Sequence, residues 1–150
     1  MQKRRERRND REMARRALEL LAEFPHRCSE LLCASILLEE PYEELSHTLE
    51  RMAEVEAEQF RSLGGMMLRA GMNPPLRMLT YGGRGRCPML VSTEKGEIRA
   101  FLLAMKKETE RITHAARLLL TAPDWEGEDE SLRFLERQEE QLRQLMNMLS

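Results

Sequence analysis

Apolar residues recur along this chain at steps of three and four, the spacing of helices with one buried face. Asn9 and Asp10 are candidate N-caps for the first such segment. There "REMARRALELLAEF" places Met13, Ala14, Ala17, Leu18, Leu21 and Phe24 on one face. Pro25 interrupts or restarts the helix, because its ring removes a backbone donor. "PHRCSELLCASILLEE" then runs to Glu40, with Pro25 suited to a first turn and Pro41 ending the segment. Residues 10–24 and 25–40 are therefore two helices, or one helix kinked at Pro25. A longer helix runs from about Tyr42 to Ala70, closed by Gly71 and "NPP". Its ~28 residues span roughly 42 Å. The pair Gly64-Gly65 near its end allows close packing or a bend. Two further helices are predicted at about 94–121, capped by Ser92 or Thr93, and at about 130–149, after the acidic turn "TAPDWEGEDES". Residues 71–92 are rich in glycine and proline and show no helical period. They read as a crossover running the length of a bundle.

Three stripes contain polar residues where leucines belong. The second helix reads Leu45, Leu49, Met52, Glu56, Gln59, Leu63, Met66, Ala70. The third reads Ile98, Leu102, Met105, Glu108, Ile112, Ala115, Leu119. The last reads Leu132, Leu135, Glu139, Leu142, Met146, Leu149. Glu56, Glu108 and Glu139 thus lie mid-stripe on three helices and are expected to converge at the waist. Three carboxylates cannot all ionise in a dry core without a partner. A divalent cation, an arginine, water or shared protons would each serve. Arg111 and Arg143 also stand within reach of Glu108 and Glu139 along their own helices.

Composition supports helices. Leu, Met, Ala, Glu and Arg dominate the 150 residues, and only 5% are aromatic. The length suits one domain, with residues 1–9 as a basic flexible arm and residues 10–150 as the helical bundle. Residues 1–16 carry eight Lys/Arg and three acids, so the rest of this −2 chain is acidic. Such an arm can contact nucleic acid, yet it lacks interleaved aromatics, and one copy of "YGGRGR" adds little. No apolar run approaches the ~20 residues of a membrane span. The three cysteines have no metal-ligand spacing, which suits a reduced cytoplasmic protein. His26 lies near the Pro25 break, His47 two turns before Glu56, and His114 out of phase with Glu108, so each reads as a surface or capping residue.

The segment "SILLEEPYEELSHTLERMAEVEAEQFRSLGGMMLRAGMNP" resembles the rubrerythrin and manganese-catalase branch of the ferritin-like proteins. The likeness covers Leu31 to Pro75; from 94 to 149 it rests on helix length and the inward glutamates. It implies an all-α, ferritin-like four-helix bundle with one long crossover and an extra N-terminal helical segment. It also implies a centre of two iron or manganese ions, held by a Glu from each of two helices and Glu-x-x-His from each of the other two. By this resemblance Glu56, Glu108 and Glu139 match three ligand positions. Gln59 and Leu142 stand where histidines are expected. Phe24 stands where the first helix's glutamate is expected, with Glu23 beside it as a further candidate. A glutamine oxygen is a poor substitute for imidazole at a redox metal.

The expectation is a bundle whose dimetal centre is lost or weakened, with no cofactor. Its role is then a non-redox structural or interaction protein, a homodimer or the partner of another protein. Two alternatives come from other classes. One is a metal-dependent oxidase, peroxidase or catalase using iron or manganese at Glu56, Glu108 and Glu139. The other is nucleic-acid binding through the basic arm.

Overall fold

The computed structural model describes residues 2–81 and 87–150, and side chains from Asp10 onward apart from Tyr81. The "GGRGR" segment and the side chains of the basic arm therefore lie outside the described residues. Five helices and no strand form there: α1 (Gln2–Leu38), α2 (Glu43–Arg69), α3 (Leu76–Tyr81), α4 (Lys95–Leu120) and α5 (Glu128–Leu149). None is long and apolar enough to cross a membrane.

Helix α1 runs unbroken through Pro25. A proline inside a helix costs about 3 kcal/mol. Here both halves bury apolar faces, Ala17 to Phe24 before it and Leu31 to Leu38 after it, and that packing offsets the cost of the proline. Because α1 begins at Gln2, Asn9 and Asp10 lie inside it rather than capping it, and the backbone of the expected arm is helical. Helix α2 ends in a Schellman turn. Gly71 adopts φ +80°, its N–H donates to Leu68 O (3.1 Å), and Met72 N–H donates to Met67 O (2.9 Å). Helix α2 continues through Gly64, where a Cβ would meet Leu21 and Leu76 at ordinary contact distance. Helix α4 is preceded by Glu94 as N-cap residue, with no side-chain cap, so neither Ser92 nor Thr93 holds that place. Helix α5 starts at Glu128 after Gly127 (φ +93°), and Glu128, Asp129 and Glu130 lie in the first turn, where the helix dipole favours acids.

The crossover contains one helix the periodicity did not reveal, the six-residue α3. It packs on α1. Six residues between a Pro-Pro pair and a glycine run are too few to show a period.

The four long helices share two apolar layers. One joins Ala17 to Phe24, Leu63 to Met67, Ile112 to Leu120 and Phe134 with Leu135. The other joins Leu31 to Leu38, Leu49 to Ala53, Ile98 to Met105 and Leu145. Chain direction follows from which layer each helix meets first. Helices α1 and α5 run one way, and α2 and α4 run the other. The crossover begins on the first layer (Met72, Leu76, Leu79) and finishes on the second (Cys87, Leu90), so it runs the length of the molecule.

Candidate functional site

Between the two apolar layers lies a thin polar one. Helix α1 contributes Arg27, between Phe24 and Leu31. Helix α2 contributes Glu56 and Gln59, between Ala53 and Leu63. Helix α4 contributes Thr109, between Met105 and Ile112. Helix α5 contributes Gln138 and Gln141, between Phe134 and Leu145. All six side chains are at most 2% exposed. Each sits in phase with its helix's apolar positions, so the repeat that builds the core carries these polar groups inward.

Buried polar groups must find partners among themselves; here Glu56 Oε2, Gln59 Oε1 and Gln138 Nε2 have none among the described residues. Arg27 and Glu56 form a fully buried ion pair. Arg27 donates from Nε (2.9 Å) and Nη2 (2.8 Å) to the same carboxylate oxygen, Glu56 Oε1. Its Nη2 also donates to Thr109 Oγ1 (2.6 Å), and Nη1 meets Met105 Sδ at 3.4 Å. Gln141 Nε2 donates to Glu56 Oε1 (3.1 Å) and to Met52 O (3.3 Å). Gln59 Nε2 donates to Phe134 O (3.0 Å) and Gln138 Oε1 (3.3 Å). One guanidinium therefore ties α1 to α2 and α4, and the glutamines tie α2 to α5. On the side of the first apolar layer the waist is closed by Phe24 against Phe134, edge to face at 5.6 Å.

No family model, no curated protein and no solved structure matches the chain. The waist must therefore be read from its own chemistry.

The expected convergence of carboxylates does not occur. Glu56 and Gln59 are at the centre, but Gln59 bonds Gln138 and the Phe134 carbonyl rather than a carboxylate. Glu108 lies at the edge of α4 and pairs with Arg111 (2.8 Å), which also holds Glu23 of α1 (2.9 Å). Glu139 is exposed and pairs with Arg117 of α4. On α4 only Glu108 and Ala115 fall outside the buried stripe, whereas on α5 the buried stripe lies one residue before the expected one. The inward residues are Thr109 rather than Glu108, and Gln138 and Gln141 rather than Glu139 and Leu142. Glu23 is likewise replaced at the waist by Arg27, one turn further on. His47 and His114 are exposed and His26 is half-buried, none of them in the polar layer.

The residues do not fit a dimetal centre. Such a centre takes carboxylates from all four helices and imidazole from two. The waist offers one carboxylate and no imidazole. Of that carboxylate, Oε1 already accepts three hydrogen bonds, which leaves Oε2, buried without a partner among the described residues, as the one anionic oxygen not in use. A guanidinium, which has no lone pair to give, fills the space beside it. Among the described residues no group of three or more His, Cys, Asp or Glu is placed to hold a metal ion. Two nearby thiols are also unsuited as donors. Burial pushes Cys87 up to about 12 and raises Cys28, with the Glu56 charge adding to both.

Arg27 carried a readable signal. It follows Phe24 by three and precedes Leu31 by four, so it lies on the apolar stripe itself. Gln138 and Gln141 continue Phe134 and lead to Leu145 at the same steps.

Proposed function

We propose that the chain is a ferritin-like four-helix bundle whose waist is closed by an internal ion pair. Its role is that of a non-redox structural or interaction protein. One observation carries this reading. The six polar residues of the waist come as one, two, one and two from the four long helices, and each pair is spaced i, i+3. That is the distribution of ligands in carboxylate dimetal bundles. Here Arg27, Thr109, Gln59, Gln138 and Gln141 stand in five of the six places, and only Glu56 keeps a carboxylate. The long crossover between two antiparallel helix pairs supports the same fold.

The interaction role is supported by α1. Residues 31–38, "LLCASILL", carry large apolar residues on both their inner and outer faces. Leu31, Ala34 and Leu38 face the core, while Leu32, Ile36 and Leu37 are exposed, Ile36 by 71%. A helix that is apolar all round is normally covered on both sides. A second copy of the chain is the proposed cover, and Ile36→Asp should then shift the mass measured by light scattering from dimer to monomer.

The redox question is tested by oxygen uptake and peroxide consumption with added iron or manganese. The protein is expected to give no turnover above the free metals. Turnover that disappears in Glu56→Ala would overturn the proposal.

A further inference from the structure

The acceptors around Arg27 are fixed by other helices. Glu56 Oε1 is held by Gln141 Nε2, which is itself anchored on the Met52 carbonyl. Thr109 donates its hydroxyl proton to Met105 O at 2.8 Å, leaving the Oγ1 lone pairs for a donor. Met105 Sδ completes the set. Helices α2, α4 and α5 therefore hold a carboxylate oxygen, a hydroxyl and a thioether around one flat volume, and α1 delivers the cation into it.

We propose that the waist is a receptor for a single planar cation, the guanidinium group, which the chain fills with its own side chain. Cut back at Cβ, the same cage takes a free guanidinium of matching length. The inference rests on reading the waist as closed by a cation other than a metal.

Three features set the ligand class. The charge balance is one to one: a single carboxylate faces a single positive group. The contacts require N–H donors pointing in three directions in one plane, which a guanidinium supplies and an ammonium does not. The oxygen set is too poor in charge for a divalent ion, which needs several anionic or carbonyl oxygens. Arg27→Ala removes the side chain from Cγ outward, and the missing piece is N-ethylguanidinium.

The test is thermal unfolding of full-length Arg27→Ala with N-ethylguanidinium titrated through the millimolar range. Ethylammonium and manganese(II) serve as alternative ligands, and the parent protein as control. The variant should melt below the parent and recover saturably with N-ethylguanidinium, as expected for a ligand that binds only the folded state. Ethylammonium should bind about tenfold more weakly or worse, since it cannot reach all three acceptors. Manganese should give no recovery, and the parent should show no saturable gain. If Arg27→Ala is unfolded alone, the same titration is read as recovery of helical circular dichroism. Arg27→Ala/Glu56→Gln, which lacks the buried charge, should not respond to N-ethylguanidinium. Absence of saturable recovery overturns the proposal, as does equal recovery with ethylammonium, better recovery with manganese, or an undiminished response in the double variant. None of these outcomes bears on whether the parent binds metal, which is measured separately.

Discussion

Replacing Glu56 by leucine should be among the most damaging single substitutions in this protein. Three donors converge on Glu56 Oε1: Arg27 Nε, Arg27 Nη2 and Gln141 Nε2. Leucine leaves all three without that acceptor. Gln141 keeps the Met52 carbonyl and Arg27 keeps Thr109, so the loss falls on the guanidinium charge, which is 1% exposed and cannot turn to water. Hydrogen bonds to charged groups contribute about 1.5–3 kcal/mol each, which puts the two from Arg27 at roughly 3–6 kcal/mol. Breaking a buried ion pair from one side costs about 3–5 kcal/mol, in the same range. That is a large share of a total stability of about 5–15 kcal/mol. It corresponds to a fall in melting temperature of roughly 6–20 °C for a chain of this size. The double variant Arg27→Met/Glu56→Leu should recover most of this loss. Gln141 then still donates to Met52 O and Thr109 still donates to Met105 O, so no charge and no anchored group is left stranded. Urea unfolding followed by far-UV circular dichroism gives the four corners of the cycle, provided the slopes agree. A cost below about 1 kcal/mol for Glu56→Leu would refute the reasoning, as would a double variant as unstable as the two singles combined.

Other substitutions separate the waist from the surface. Glu108→Ala and Glu139→Ala should each cost no more than about 1 kcal/mol in urea unfolding, because their arginine partners are half-exposed or exposed and screened. Gly71→Ala should cost about 1 kcal/mol by the same assay, since the Schellman turn holds that residue at φ +80°. Burial holds the Cys87 thiol up to about 12, so the folded state keeps a proton that the unfolded chain loses near its ordinary value of 9.0. The thiol's contribution to stability is therefore complete below that ordinary value and is lost as pH rises through the window up to about 12. Alkylation at neutral pH should mark the exposed Cys33 well before Cys87.

Much of the fold was legible because helices advertise themselves. The stripe of α2, most of that of α4, the presence of α5, the stops near Pro41 and Gly71, and the long crossover all follow from spacing and turn chemistry. Phase was the harder quantity. Neighbouring residues on a helix differ by about 100°, so a broad apolar face admits two registers. Counting through Glu108 and Glu139 selected carboxylates. Burial selected Thr109, Gln138 and Gln141, uncharged groups that cost less to desolvate. Arg27 stands on the apolar stripe between Phe24 and Leu31, where a charged residue gives no sign of which partner will meet it. Glu56 and Gln59 were found because Met52 and Leu63 flank them without ambiguity.

At the waist a guanidinium, not a metal ion, meets the buried carboxylate. Elemental analysis of protein purified from cells supplied with iron and manganese, then passed through a desalting column, tests it most directly. The protein should carry far less than one transition-metal ion per chain, with melting temperature unchanged by chelator. About two tightly bound ions per chain, lost in Glu56→Ala, would contradict it.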